Sequence, residues 1–414
     1  MQNHTSLSCL HLAALALALG GCTLTGDDFA PVTAAGEAPA CGQAGCGEAL
    51  PNTGSGSGAP ASRPTAPGAG SPTPGPAQSP LPASSVPSDV PGGGPGAAPA
   101  RDAGVQAQDG AAPLAPAELV GWASMPGLGV STTDGGGSAL PRLVTSAAEL
   151  LELAARAEPL SIAFAGTLDV GRLELASDKT LIGLGKDAVL RGGIRIRGSA
   201  DEFVSNVIVK NLTVDAVTSQ VDGDGIQVHY AHHVWIDHCE VKDAADGLID
   251  IVHGSDFVTL SHNRFGYTGA APDPAHRFAN LIGHDVDNGA EDAGHLNVTL
   301  HHNWWSSGVS QTLFARFGKV HVFDNYFASP GNTSVLVAGL NADLLVENNF
   351  FEGVLEPHAI VPLSAAGVLA AGNLYELTTG ARDENGRAFV PVYPYVLEAA
   401  ADVPARVSAE AGPQ

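Results

Sequence analysis

Four aspartates stand in two short, similar settings. Asp222 and Asp224 lie in VDGDGIQV, and Asp246 and Asp250 lie in DGLIDI. In an extended chain, residues two or four apart project to the same side, so each pair can present its oxygens together. The two segments are 24 residues apart, measured from Asp222 to Asp246. Four carboxylates meeting in space repel one another unless a hard cation lies among them, and Ca²⁺ suits such an oxygen-rich shell. By spacing alone they also fit solvated turn aspartates of an acidic chain. Their meaning depends on the elements that carry them.

Those elements repeat. Nine-residue blocks recur as NVIVKNLTV (206–214), HVWIDHCEV (233–241), FVTLSHNRF (257–265), NVTLHHNWW (297–305), KVHVFDNYF (319–327), DLLVENNFF (343–351) and GVLAAGNLY (367–375). Their second positions, from Val207 to Val368, are separated by 27, 24, 40, 22, 24 and 24 residues. A fixed period of this size marks a solenoid. The blocks are short β-branched alternations with Gly or Asn near their ends, hence strands, and strands too far apart for hairpins stack in parallel. The seventh position holds Asn263, Asn303, Asn325, Asn349 and Asn373, a column in which each amide can bond its neighbours. A leucine-rich repeat has a similar period but would show Leu at several fixed positions, whereas Val, Ile and aromatics dominate here. The expected fold is all-β, a parallel β-helix of about seven or eight coils. The two aspartate pairs then lie on adjacent rungs. The 40-residue step implies an insertion within 266–296, and such insertions form binding loops. Ala147 to Ala155 reads as a helix capping the open end, with earlier strands at Ile162–Phe164 and Lys179–Gly183.

The 414-residue chain carries 19 Lys+Arg against 43 Asp+Glu, a formal charge of −24. That balance argues against nucleic acid as a partner, because phosphates require clustered cations. Seventeen of the 29 prolines fall between Pro31 and Pro116, where Arg63 and Arg101 are the only cations. Residues 22–116 therefore read as a disordered Pro/Gly/Ser-rich tether, and 117–414 as the folded domain. The apolar run Leu10–Leu19 is too short to span a bilayer, which takes about 20 residues, and reads as an export signal over 1–21. The Leu-Gly-Gly-Cys that follows resembles a bacterial lipobox, with Cys22 as the lipid-carrying residue; cleavage nearby without lipid is the alternative. Either way the protein is exported, to the cell surface of the outer membrane or beyond. Cys41 and Cys46 could close a small disulfide loop, and Cys239 reads as a buried side chain rather than a nucleophile.

From Gly121 to Tyr375 the chain resembles the pectate lyase family, polysaccharide lyase family 1. The resemblance rests on Gly121-Trp122-Ala123, SDKTLIGLG (177–185), VWIDHCEVKDAADGLIDI (234–251), VTLSHNRF (258–265), LIGH (281–284), HHNWW (301–305) and ARFGKVHVFDNYF (315–327). It implies a right-handed parallel β-helix and calcium-assisted β-elimination on polygalacturonate, with an acidic polysaccharide as the partner of a monomeric protein. Asp222, Asp224, Asp246 and Asp250 fall on the family's calcium-ligand positions. Ca²⁺ there would acidify the uronate C5 proton, a cationic side chain would stabilise the developing charge, and a base would take the proton. In the family that base is an arginine. Here Gln311 stands at its position, Leu313 replaces the following proline, and Arg316 matches the substrate-binding arginine. The expected lysine position holds Phe278, with Arg277 beside it as a shifted candidate. Among His276, His284, His301, His302 and His321, a neutral imidazole is an alternative base. Trp304, Trp305, Tyr326, Phe350 and Phe351 read as stacked core and rim rather than a sugar platform. The leading expectation is an exported calcium-dependent lyase on a uronate polymer. A catalytically inactive β-helix that binds acidic polysaccharide through calcium is its rival, and a purely structural surface protein is the third reading.

Overall fold

The computed structural model describes residues 119–273 and 276–414. The expected export signal, Cys22, Cys41, Cys46 and the expected tether lie outside the described residues.

The nine-residue blocks are not single strands. Each is a strand, a sharp corner and a second short strand. In the second block, strand Ala231–Asp237 ends at His238, Cys239 points inward, and Glu240–Lys242 departs in a new direction. The sixth residue of every block has positive φ: Asn211 (58°), His238 (50°), His262 (52°), His302 (56°), Asp324 (52°), Asn348 (51°) and Gly372 (67°). Asn, Asp, His and Gly tolerate this left-handed region best, so the composition of that column is a steric requirement of the corner.

Stacked coil on coil, the strands build three parallel faces. The first is a ten-stranded sheet from Arg142–Leu143 to Gly367–Ala371. A fifteen-stranded sheet forks at Val189–Arg197 into the other two. The second face holds the short strands after each corner. The third holds Ile226–His229, Gly247–Val252, Phe278–Ile282, Gln311–Ala315 and Ser334–Ala338. Register follows the repeat: Val207 pairs with Val234, Val234 with Val258, Val258 with Val298, and so on to Val368. The expected count of seven or eight coils is too low. Three rungs precede the blocks: Leu160–Phe164 and Lys179–Gly183, which contain the earlier strands read from the sequence, and Arg142–Leu143, too short to show an alternation.

From the third block onward the asparagine ladder inside the corners is continuous. Asn263 Nδ2 donates to Asn303 Oδ1 (3.1 Å), Asn303 to Asn325 (3.0 Å), Asn325 to Asn349 (3.0 Å) and Asn349 to Asn373 (2.9 Å). Each carbonyl oxygen also accepts a backbone N–H, so these buried amides are satisfied. Cys239 continues the column, fully buried with its thiol pushed up to about 12 by burial, which makes it inert. Phe265, Trp305, Phe327, Phe351 and Tyr375 stack behind it at 4.6–5.2 Å.

One helix caps the first rungs and another packs on the second face. Ala147–Ala154 starts at Ser146, whose Oγ accepts from Glu149 N, and buries Leu150, Leu153 and Ala154 in the main core. A second helix, Val403–Glu410, packs Val403 and Val407 on Phe350, with Trp304 and Tyr326 at its edge.

Candidate functional site

The third face carries the aspartates. Its strands place Arg195, Gln227, Asp250 and Leu281 in lateral register, so these side chains form one column on the sheet. The turn before Ile226–His229 supplies Asp222 and Asp224, and the next rung's turn supplies Asp246. Asp224 is 4 % exposed, and it accepts from Gln227 Nε2 (2.8 Å) and Gly247 N (3.0 Å). Asp222 stands at the rim, where it accepts from Arg195 (2.8 Å) and Gln227 (3.1 Å). Asp250 accepts no hydrogen bond among the described residues and sits over Gly247, where a Cβ would lie 2.5 Å from its Oδ1.

The electrostatics separate the four. Burial tends to raise Asp222, but the Gln227 hydrogen bond together with Arg195 and Arg197 outweighs it and holds the carboxyl below its ordinary range. Burial and the nearby Asp246 push Asp224 up to about 7. Burial, then Asp224 and Asp246, raise Asp250 well above a normal carboxylate; burial also raises Asp246. Three carboxyls held back from ionising beside one another, with oxygen-only donors and two of them, those of Asp246 and Asp250, accepting no hydrogen bond among the described residues, fit a hard divalent cation. Asp224, Asp246 and Asp250 would hold it, with Asp222 kept at the edge by Arg195.

The insertion folds over this cluster. Strand Phe278–Ile282 adds the next rung, and Tyr267 Oη donates to the carbonyls of Asp246 (3.0 Å) and Phe278 (2.7 Å), fastening the loop to the turn. His276 Nδ1 lies 2.8 Å from Asp273 Oδ2, and both groups act electrostatically on Asp246. Gln227, Arg195 and Tyr267 were not singled out from the sequence: Arg195 and Tyr267 reach the cluster only across rungs, and Gln227 does so through the bend between the aspartate turn and its strand.

The remaining candidates are dispersed. Gln311 begins its strand in register with Phe278. Arg277 is partly exposed, and its Nε is buried without a hydrogen-bond partner among the described residues. Arg316 is 4 % exposed: its guanidinium donates to the carbonyls of Gly283 (2.9 Å) and His284 (3.0 Å) and lies 4.3 Å from the Phe314 ring centroid. It is built into the wall rather than offered to solvent. His284 is half-buried beside it, and burial with His253 lowers its pKa. His301, His302 and His321 belong to first-face strands and corners, away from the carboxylates; His321 bonds Tyr393 Oη (2.9 Å) and Glu347 (3.0 Å). Trp305 and Phe351 are fully buried core, as expected.

A sequence model described as pectate lyase matches residues 115–368, more than half of the chain. Pectate lyase plyB of Emericella nidulans is 35% identical over 227 residues, covering 53% of this chain and 65% of that protein. Pectate lyase A of Aspergillus niger is 35% identical over 253 residues, covering 58% and 71%. The chain thus spans just under two thirds of the length of several curated relatives. Among solved structures, a pectate lyase from Bacillus sp. N165 in complex with trigalacturonate superposes with a TM-score of 0.58 at 24% identity, over 72% of this chain and 99% of that one. The cedar-pollen allergen Jun a 1 shares the fold at a TM-score of 0.56 and 22% identity, over 72% and 93%. With the parallel solenoid and the family match over residues 115–368 in hand, the chain belongs to the pectate lyase family.

Proposed function

We propose that the protein is an exported, calcium-dependent polysaccharide lyase that cleaves polygalacturonate or a related uronate polymer by β-elimination. The observation that supports this reading is the convergence of Asp224, Asp246 and Asp250 on adjacent rungs, with burial and mutual repulsion raising their carboxyls and no cationic side chain among the described residues paired with them, a set that a divalent cation would stabilise. Asp224, Asp246 and Asp250 would hold Ca²⁺, which would supply Lewis-acid polarisation of a uronate carboxylate. The protein's own groups do the rest. Gln227 and Gly247 N fix the Asp224 oxygens, Arg195 holds Asp222 at the rim, and Tyr267 anchors the loop over the cluster. Gln311 cannot accept the C5 proton, so that role is assigned to His276, which Asp273 orients through Nδ1 and which acts on Asp246 from the loop. The lipid-bearing Cys22 would hold the domain at the cell surface, which mass spectrometry of the mature N-terminus tests.

Gln311 itself, with Arg316 turned into the wall, favours a second reading: a β-helix that binds uronate polymer through calcium without cleaving it. Ultraviolet absorbance of the 4,5-unsaturated product, measured on polygalacturonate with Ca²⁺ and again with chelator, decides between them. Calcium-dependent absorbance, reduced on the order of 100-fold in His276→Ala, is the expected result. Polymer binding that needs Ca²⁺ but yields no product from any uronate substrate rejects the lyase in favour of the binder. In that case a gain of activity in Gln311→Arg would show that only the base was lost.

A further inference from the structure

On the first face, away from the carboxylate cluster, Asp237, His238 and His262 bring one ligand atom each within 4.8 Å of one another, and among the described residues no other group of three does so. They stand where strands Ala231–Asp237 and Asp256–Ser261 reach their corners on successive rungs. Asp237 Oδ2 lies 2.8 Å from His238 Nδ1, and Oδ1 lies 3.5 Å from His262 Nδ1. The two rings stack at 4.6 Å with planes 5° apart, so both turn the same nitrogen to one carboxylate. Asp237 is fully buried and cannot swing away: its Oδ1 accepts from Ser261 Oγ (2.7 Å), which accepts in turn from Trp235 Nε1 (2.8 Å).

Hydrogen bonding accounts for half of this arrangement. It satisfies His238 Nδ1 but leaves His262 Nδ1 buried without a hydrogen-bond partner. His302 extends the stack at 4.9 Å, yet its Nδ1 is taken by His301 (3.0 Å). We propose that Asp237, His238 and His262 form a site for a borderline divalent transition-metal ion such as Zn²⁺. Two imidazoles and one carboxylate form a donor set suited to Zn²⁺ or Co²⁺ and poorly suited to Ca²⁺, which prefers oxygen alone. Asp237 Oδ1 lies 3.5 Å from His262 Nδ1, close to the roughly 3.4 Å edge of a tetrahedron built from bonds of about 2.1 Å, while the 2.8 Å contact of Oδ2 with His238 Nδ1 is a hydrogen bond that a bound ion would replace. The wider imidazole–imidazole edge closes by rotation of the His262 ring, which gives up no hydrogen bond at Nδ1. Ser261 and Trp235 supply the outer contacts that orient a ligating carboxylate. The ion would clamp two rungs at the corner, where the backbone is held in its left-handed conformation.

The test is a titration of metal-stripped full-length protein with Co²⁺ in excess Ca²⁺, which keeps the carboxylate cluster filled. A single equivalent should produce the visible absorption bands of nitrogen-ligated tetrahedral Co²⁺ and should be displaced by Zn²⁺. His262→Gln should weaken binding on the order of tenfold or more, while Asp250→Asn leaves it unchanged. Absence of the bands in the unsubstituted protein overturns the proposal, whether or not any variant folds. So does binding that His238→Gln and His262→Gln leave intact.

Discussion

At the scale of single residues, the carboxylate cluster is governed by charge that the fold confines. Asp250 has neither a hydrogen bond nor a cation among the described residues, and Asp224 and Asp246 act on it through a poorly hydrated space. Replacing it should therefore have opposite effects with and without metal. Asp250→Asn should raise metal-free stability at pH 8 by about 1–2 kcal/mol, because repulsion disappears, and should abolish stabilisation by Ca²⁺. Thermal unfolding in chelator and in Ca²⁺ measures both. Gly247→Ala tests position rather than charge. Its new Cβ would meet Asp250 Oδ1 at 2.5 Å, and the carboxylate, as the free end of a side chain, is what gives way. Calorimetry should show calcium affinity falling roughly tenfold while the metal-free fold persists. The spacing of the four aspartates was visible in the chain. That Asp222 would be claimed by Arg195 was not, because that partner is 27 residues away and meets it only through rung-to-rung register, and the bond from Gln227 to Asp224, three residues apart, depends on how the turn bends into its strand.

Among the elements, the corner distinguishes this solenoid. A nine-residue block resembles one strand on paper because both halves are β-branched or aromatic, and a single left-handed residue separates them. The asparagine after it was recognisable from its recurrence alone, and the ladder has the hydrogen bonds that such a column allows. Asn325 shows what depends on it: Nδ2 serves Leu300 O, Phe323 O and Asn349 Oδ1, and Oδ1 receives Asn303. Asn325→Ala leaves several buried groups unpaired and should cost about 3 kcal/mol, read as a lower denaturation midpoint. The C-terminal helix gave no comparable signal. It has few apolar residues, and its docking depends on Val403 and Val407 finding Phe350 from a distant coil. Val407, 1 % exposed, should not tolerate Asp; the loss of about 3 kcal/mol would be accompanied by exposed aromatic surface that binds a hydrophobic dye.

For the whole molecule, the carboxylates couple stability to pH and metal together. Acids with raised folded-state pKa values stabilise the fold while protonated, and that contribution disappears as pH rises through the folded value, here about 7 for Asp224. Measured against Asp224→Asn, so that the buried histidines with lowered pKa values, which act in the opposite sense, cancel, the melting temperature in chelator should fall between about pH 4 and pH 7, and saturating Ca²⁺ should remove the decline. A flat difference between the two proteins in chelator would show that the cluster is not confined as described. The formal charge of −24 thus includes three carboxyls whose ionisation depends on what they bind. Periodicity, the asparagine column, the capping helix and the spacing of the aspartates were determined by the sequence itself, since each is a local pattern repeated along one dimension. The number of coils, the burial of Arg316, the approach of His276 to Asp246 and the convergence of Asp237, His238 and His262 were decided only by tertiary structure. Their physical basis is lateral: stacking sets residues from successive rungs side by side, and a side chain's solvent, charge and partners are fixed by neighbours some two dozen or more residues away.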